Sequence, residues 1–431
     1  MGVRGAPDTI FAIATGAGRS ALQVIRLSGS GTKPLLAKLC GHPPPPRRAS
    51  LRRLGDAAGR PLDQAIVLWF PAPGSYTGED CAELHLHGGI AVRDAVIGTL
   101  LDLGARPAEA GEFTRRAVLN GRFDLTEAEA VADLIDAETD AQRRQALNQL
   151  DGGLSTILAG WADTLRRHLA IAEALIDFPE ETGHSALPIA PLIRLADDMA
   201  AMLAERAPEH VRTGLVVAIT GAPNAGKSSL INYLAGRDVA IVSPLPGTTR
   251  DIVEARLILN GMVVTFLDTA GLRPTEHPIE AEGVRRARDR AASADLVIHL
   301  TEAGSRLAVP PPATPAPVIH VTSKCDIGAA LPQTCPISLT GSPGMDGLYA
   351  TLRRALAHLT DRSAPVGLSR ERHRAALTQS AAALRDALAA IEPEITAEAL
   401  RRSLWELGRI TGTTDIERVL DEIFVNFCIG K

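Results

Sequence analysis

Residues 221–228 read Gly-Ala-Pro-Asn-Ala-Gly-Lys-Ser, directly after the apolar run 216–220 and directly before a helix-compatible run, 229–234. No other feature constrains the fold as tightly. A loop of the form GxxxxGK[ST] needs a strand end to deliver it and a helix N-terminus to complete it. Around this loop, buried-type strands at 216–220, 263–267, 296–300 and 318–322 alternate with helical segments. That alternation predicts a mostly parallel sheet covered on both faces, over about 213–362. A Pro-rich stretch, 309–317, is expected as a loop within it.

The flanks follow another period. Leu147, Leu150, Leu154, Ile157, Trp161, Leu165, Leu169 and Ala172 recur every three or four residues, and helical spacing returns at Leu377, Ala381, Leu384, Leu388 and Ile391, then at Leu400, Leu404 and Leu407. These are the stripes of long amphipathic helices, and each block needs the other to hide its apolar face. Residues 191–206 form a further helix by the same test, with Leu192, Leu195, Met199 and Met202 on one face. Residues 1–118 look mixed, with strands at 21–27 and 65–70, a helix at 91–103, and a Pro- and Arg-rich surface loop at 43–53. The expected organisation is therefore multidomain α/β: an N-terminal α+β domain (1–118), a helical domain in two parts (119–212 and 363–431), and the α/β domain (213–362) inserted between them.

Composition excludes several classes. With 431 residues, two to four domains are expected; 45% hydrophobic and 22% charged residues are ordinary for a soluble chain. No run of eighteen apolar residues and no secretory signal pattern occurs, so no membrane association and a cytoplasmic location are expected. Five scattered cysteines without a CxxC pair argue against a disulfide framework or structural zinc. The net charge of −5 means that any nucleic-acid contact must be local or shared with a partner.

The loop's chemistry is phosphate binding. Its N–H groups, with those of Ala225, Gly226 and Ser229, would wrap the phosphates; Lys227 would reach the β- and γ-phosphates, and Ser228 would hold magnesium. Further segments follow in the order a GTPase requires. Pro246-Gly247-Thr248-Thr249-Arg250-Asp251 supplies Thr249 as a second magnesium ligand. Asp268-Thr269-Ala270-Gly271 supplies a carboxylate facing the metal through water and an N–H that senses the γ-phosphate. In Ser323-Lys324-Cys325-Asp326, Asp326 can accept two hydrogen bonds from guanine N1–H and its exocyclic amine, which adenine lacks, while Lys324 lays its stem along the base. Ser338-Leu339-Thr340 brings backbone N–H groups to the guanine oxygen. The nucleotide is GTP by this reading.

Two departures from the usual pattern matter. Ser323 stands where Asn usually opens the guanine-reading segment; at about 1 kcal/mol per neutral hydrogen bond, the loss weakens affinity several-fold and spares base choice. Leu272 follows the Asp268–Gly271 segment where Ras-like enzymes carry a water-positioning Gln. Another group must orient the water, with Glu276, Glu280 and Glu282 as nearby carboxylates, and the Asn224 amide oxygen is suited to a monovalent cation.

With Asn224, Leu272 and the inserted domain, the chain resembles the tRNA-modification GTPases called MnmE or TrmE. The likeness runs through Ser-Tyr-Thr-Gly-Glu-Asp (75–80), His-Gly-Gly (87–89), Gly-Glu-Phe-Thr-Arg-Arg-Ala (111–117), the segment 125–135 and the terminal Phe-Cys-Ile-Gly-Lys (427–431). The resemblance implies a homodimer formed through the N-terminal domain, which binds formyl-tetrahydrofolate at positions matching Arg26, Glu79, Arg122 and Lys431. It implies a potassium ion held by Asn224 and the loop Ser243, Pro244, Leu245, Pro246, Gly247 and Thr248, doing the work of an arginine finger. Of these, Asn224, Ser243, Leu245 and Thr248 are the implied potassium ligands. Glu280 matches the family's water-orienting glutamate, and Cys428 a cysteine needed for modification. It further implies an FAD-dependent partner, MnmG (GidA), with which an aminomethyl-type group is placed on the wobble uridine of tRNA.

Cys81, Glu83, His85 and His87 share one face of a strand by period two, but one strand rarely supplies three tetrahedral ligands, so a polar or pocket-lining face is the expectation. A GTP-dependent assembly switch without covalent RNA chemistry is the alternative function. The N-terminal segments and the Phe-Cys-Ile-Gly-Lys end weigh against it, since a switch needs neither.

Overall fold

The computed structural model describes residues 8–16, 18–178, 187–237, 254–268, 293–305, 310–311, 313–340, 344–360, 366–414, 420 and 423. The chain divides into two compact units: residues 1–132, 149–196 and 376–431 form one, residues 133–148 and 197–375 the other.

The first unit opens with a six-stranded sheet built from β1 (Ile10–Ile13), β2 (Leu22–Ser28), β3 (Ser50–Gly55), β4 (Pro61–Phe70), β5 (Cys81–His87) and β6 (Arg106–Pro107). Its order is β3-β4-β5-β2-β1-β6, and every pairing is antiparallel except β1 with β6. Alternation sets its two faces. Ile25 and Leu27 of β2 and Ala82, Leu84 and Leu86 of β5 are buried, together with Leu35, Leu36 and Leu39 of α1 (Thr32–Cys40) and Val96 and Leu100 of α2 (Ile90–Asp102). Arg26, Glu83 and His85 alternate onto the opposite face, where they are half-buried.

The expected loop at 43–53 is corrected here: Ser50–Arg53 belong to β3, an edge strand paired with β4 from Ser50↔Val67 to Arg53↔Gln64. Its arginines disguise it, because charges on an edge strand blunt further pairing and break the apolar pattern of a buried strand.

Beyond the sheet come α3 (Glu112–Leu119), α4 (Leu125–Asp136), α5 (Asp140–Leu150) and the 25-residue α6 (Gly153–Asp177). After α7 (Ala190–Ala204) the chain enters α8 (Ala207–Thr213). The C-terminal helices are numbered α11 (Glu371–Ala389) and α12 (Pro393–Thr411), following α9 and α10 of the second sheet. α12 starts with Pro in its first turn and stops at Gly412, which is left-handed at φ 82, so both ends are encoded locally. Its stripe, Leu400 and Leu407, is buried and packs on α6, whose Leu158 and Leu165 are buried in turn. Ser380 and Ser403 exchange hydroxyl-to-carbonyl bonds of 2.9 and 3.0 Å, which satisfies two buried hydroxyls between α11 and α12.

The second unit carries the expected parallel sheet: β7 (Leu215–Gly221), β8 (Glu254–Leu259), β9 (Met262–Asp268), β10 (Leu296–Glu302), β11 (Val318–Ser323) and β12 (Cys335–Pro336), in the order β12-β11-β10-β7-β9-β8. Only β8 with β9 is antiparallel; they form a hairpin closed by Asn260 and Gly261, both at positive φ (52 and 76), the two-residue turn whose twist suits adjoining strands. β9 is buried along its whole length, as a central strand covered on both sides must be. α9 (Lys227–Arg237) follows β7, and α10 (Met345–Thr360) contributes Leu348, Leu352 and Leu356 to the core. Among the described residues no helix is long and apolar enough to cross a membrane.

Candidate functional site: a nucleotide cleft and an N-terminal polar cluster

In a doubly wound sheet, ligands bind beyond the carboxyl ends of the strands, where strand order reverses. β7 is that place, with β9 on one side and β10 on the other. Gly221 ends β7 at φ 142, and a Cβ there would lie 2.2 Å from the Leu300 carbonyl oxygen, so only glycine lets the loop leave the sheet this closely. Asn224 and Gly226 also take positive φ, 64 and 94, which curls the loop back toward the start of α9. Ser229 lies exposed in the first turn of that helix.

Lys227 is 6% exposed, and its Nζ donates to the Gly221 and Ala222 carbonyls at 3.0 and 2.8 Å. The loop thus holds the lysine over its own rim. The Ser228 hydroxyl, in the first turn of α9, donates to Asp268 Oδ2 at the end of β9, so a helix N-terminus and a strand end meet at this pair of oxygens. Hydroxyl and carboxylate oxygens at a helix N-terminus are the donor set a hard divalent cation such as magnesium takes.

The segment Ser323–Asp326, expected to read the base, is tied to the same loop. Ser323 ends β11, is 2% exposed, and donates its hydroxyl to the Ala225 carbonyl at 2.7 Å. Lys324 turns the chain at φ 58 and pairs with Glu302, the last residue of β10, at 2.8 Å. Cys325 N–H donates to the Ile337 carbonyl and Ile337 N–H to Thr322, lacing this segment to the one that follows β12. Asp326 then accepts from Ser338 at 2.8 Å and Thr340 at 3.0 Å, one hydroxyl per carboxylate oxygen. The Ser338 bond foremost, with Thr340 and its own N–H, holds Asp326 below the usual carboxylate range and so ionised. Leu339 between them packs on the sheet's core.

Sequence reasoning missed the Ala225 carbonyl as the partner of Ser323, and Glu302 as the partner of Lys324. No local pattern signals either, since Ala225 lies in the loop after β7 and Glu302 at the end of β10, both far from Ser323 and Lys324 in sequence. Ser243, Pro244, Leu245, Pro246, Gly247, Thr248, Thr249, Thr269, Ala270, Gly271, Leu272, Glu276, Glu280, Glu282, Cys428 and Lys431 lie outside the described residues.

In the N-terminal sheet, the loop 75–80 gathers the other candidates. Arg26 pairs with Glu83 at 3.0 Å, and its guanidinium lies 5.5 Å from the Tyr76 ring centroid. Glu79 accepts from Ser28 at 2.8 Å and from Arg116 at 3.1 Å. Gly78, at φ 80, lets the loop approach the Arg122 stem, which a Cβ would meet at 3.4 Å. Arg26, Glu79 and Arg122 are therefore grouped around Tyr76–Glu79. Arg116 belongs to a chain of charges with Glu112 (2.8 Å), Arg106 (2.6 Å from Glu112) and Asp8. Burial pushes Glu112 up, but the hydrogen bonds from Arg106, Glu109 N–H and Arg116 outweigh it and hold the carboxyl at about 2. Arg116 is the second arginine of the Gly111–Ala117 segment, and its hold on Glu79 arises only in the fold, 37 residues away in sequence. Glu83 pairs with Arg26 and hydrogen-bonds His85, and His87 hydrogen-bonds Asp63, so these side chains of β5 are held by polar partners on the protein; no metal-binding group of His, Cys, Asp and Glu occurs among the described residues.

Comparisons with known proteins agree across the chain. The model of the GTP-binding protein TrmE N-terminus matches residues 9–122, and that of the MnmE helical domain matches residues 125–428. A tRNA modification GTPase MnmE from Granulibacter bethesdensis is 52% identical, covering 98% of this chain and 99% of that protein. The same-named protein of Gluconacetobacter diazotrophicus is 52% identical over 98% of each. Among solved structures, the G domain of the T. maritima FeoB iron transporter matches 33% of this chain and 98% of its own at 20% identity, with a TM-score of 0.23. With both family models matched and relatives half identical along nearly the whole length, this chain belongs to the MnmE family.

Proposed function

We propose that this chain hydrolyses GTP in the service of tRNA modification at the wobble uridine, as a homodimer working with the FAD-dependent MnmG partner. The observation that carries the GTP reading is the junction of base and phosphate loops: Ser323 bonded to Ala225, with ionised Asp326 beside it. Family membership at 52% identity, with relatives named tRNA modification GTPases, carries the RNA half.

In this reading Asp326 accepts guanine N1–H and the exocyclic amine, Lys324 flanks the base, and the N–H groups of Asn224–Ser229 hold the phosphates. Lys227 exchanges its loop carbonyls for β- and γ-phosphate oxygens. Ser228, Asp268 and Thr249 would hold magnesium, which neutralises phosphate charge when bound. Asn224, Ser243, Leu245 and Thr248 would hold potassium, which supplies the positive charge an arginine finger gives elsewhere. Glu280 orients the attacking water, since Leu272 has no hydrogen-bonding atom. Arg26, Glu79, Arg122 and Lys431 would bind formyl-tetrahydrofolate; two cations and a carboxylate around a tyrosine suit a ring with both donors and acceptors and a glutamate tail. Cys428 serves the modification step. The domain arrangement proposed is 1–118, 119–212 with 363–431, and 213–362.

Asp326→Asn tests the nucleotide assignment. The amide donates where the carboxylate accepted, so GTP turnover should fall and xanthosine triphosphate, whose C2 carries an oxygen, should become a substrate. GTP preference unchanged in the variant removes Asp326 from the base site. Mass spectrometry of tRNA nucleosides from cells lacking the chain tests the rest: a full complement of modified wobble uridine refutes it.

A further inference from the structure

Between Thr32 and Gly55 the chain carries Lys33, Lys38, Arg47, Arg48, Arg52 and Arg53, with no Asp or Glu. A chain of net charge −5 repels RNA as a whole, so six uncompensated cations in one stretch are a local reversal. The fold concentrates five of them along one edge. α1 packs on β3, the free edge of the N-terminal sheet. At one end, Lys33 Nζ lies 5.1 Å from the Trp69 ring centroid, and Arg47 N–H donates to the Trp69 carbonyl at 2.8 Å. Arg47 also stacks 5.9 Å over Phe70, with exposed Arg48 beside it. At the other end, Arg52 acts on the Cys40 thiol at the close of α1, opposing the rise that burial imposes, and exposed Lys38 sits half a turn before that cysteine.

Elsewhere the arginines are mostly spent on carboxylates: Arg116 on Glu79 and Glu112, Arg374 on Glu209, Arg401 on Glu173 and Glu398, Arg402 on Asp386. Lys33, Lys38, Arg47, Arg48 and Arg52 have no ion pair among the described residues. Aromatic backing fixes Lys33 and Arg47 without neutralising them.

We propose that the α1–β3 edge is a contact surface for the phosphate backbone of RNA. Repeated cations along an extended strip suit repeated phosphates, and few direct contacts to bases are needed for such a surface to position a substrate. The partner's identity as tRNA rests on the proposed function; the strip itself reads only backbone charge. It positions the tRNA, while chemistry lies elsewhere on the chain.

The test uses full-length protein carrying Lys33→Gln, Lys38→Gln and Arg48→Gln together, all exposed and outside the nucleotide cleft. Fluorescence anisotropy with labelled tRNA is measured from about 50 to about 200 mM KCl. Losing three phosphate contacts should weaken binding at least tenfold at the low-salt end and make the slope of log affinity against log salt shallower by about 2. GTP turnover should stay at the wild-type rate, which shows the fold intact. Unchanged tRNA affinity and slope overturn the proposal, as does wild-type protein that binds no tRNA. Loss of binding to phosphatidylserine vesicles with tRNA affinity intact assigns the strip to a membrane surface and overturns it too. Wobble nucleosides in a deletion strain separate the two ideas: if modification is lost there and fully restored by the triple variant, the tRNA function stands and the strip falls.

Discussion

Ser323→Ala isolates the bond that joins the segment proposed to read the base to the loop proposed to hold the phosphates. The hydroxyl reaches the Ala225 carbonyl at 2.7 Å, and both residues are buried, at 2% and 0% exposure. Truncation removes the donor and leaves a buried carbonyl short of a partner, a cost of about 1–2 kcal/mol, or roughly five- to thirtyfold in an equilibrium constant. Because the bond spans two loops of one unit, the cost divides between the stability of the nucleotide-free protein and the affinity for nucleotide. Titration with a fluorescent GDP analogue, beside chemical denaturation without nucleotide, reads both parts. Their sum should reach the figure above, with ATP still excluded because Asp326 keeps its carboxylate. Ser323→Thr retains the hydroxyl and should behave as wild type. Wild-type values for Ser323→Ala in both assays would refute the idea that this bond organises the cleft, and would leave the missing Asn as a loss with no compensation.

Lys227→Ala should raise the GTP dissociation constant by well over tenfold and abolish turnover, by isothermal titration and phosphate release; wild-type hydrolysis would place the phosphates elsewhere. Turnover in potassium should exceed that in sodium at matched ionic strength, and Asn224→Ala should lose this difference while binding GTP; equal rates in both salts for the wild type sink the cation proposal. Glu280→Ala should lower kcat strongly with affinity kept, whereas Glu282→Ala should not; the reverse result shifts the water-orienting role by two residues. His210 bonds Asp295 at 3.1 Å and, through its other nitrogen, the Leu359 carbonyl. Burial pulls its pKa down, but the Asp295 hydrogen bond and charge, with Leu359 and nearby Glu209, outweigh it and raise it above 6.5. Protonation therefore favours the fold: the stabilisation is complete below about pH 6.5 and fades as pH rises through the folded pKa. Thermal midpoints across that window should fall in the wild type and stay flat in His210→Gln; parallel profiles would show that the pair contributes nothing.

Periodicity made the second sheet legible because its strands are buried on both sides and write themselves as apolar runs. The strands expected at 216–220, 263–267, 296–300 and 318–322 correspond to β7, β9, β10 and β11, each a residue or two longer. The N-terminal sheet was harder. β3 hides behind arginines, β1 is four residues long, and β6 only two, so none offers enough alternation to be seen. Within the cleft, residue types announced the chemistry, since glycine, lysine and aspartate at fixed spacing do what few other side chains can. Connections between strand ends were invisible, because the Ala225 carbonyl and Glu302 acquire their roles only when β7, β10 and β11 lie side by side. The charge chain from Asp8 through Arg106, Glu112 and Arg116 to Glu79 was hidden for the same reason: its members are spread across the first 116 residues.

The β8–β9 hairpin has a bearing on how the cleft can signal. β8 begins just after the segment that contains Thr249, and β9 ends at Asp268, where the Asp268–Gly271 segment starts. Glu254 stands opposite Leu267, so the two segments proposed to read the γ-phosphate join adjacent ends of one two-stranded ribbon. The tight Asn260–Gly261 turn fixes the register of that ribbon, with Leu259 opposite Met262 and Glu254 opposite Leu267. Under the proposed roles the γ-phosphate would be read through one ribbon rather than two independent strands, and Arg256 of β8 ties that ribbon to Glu138, ahead of α5, at 2.9 Å.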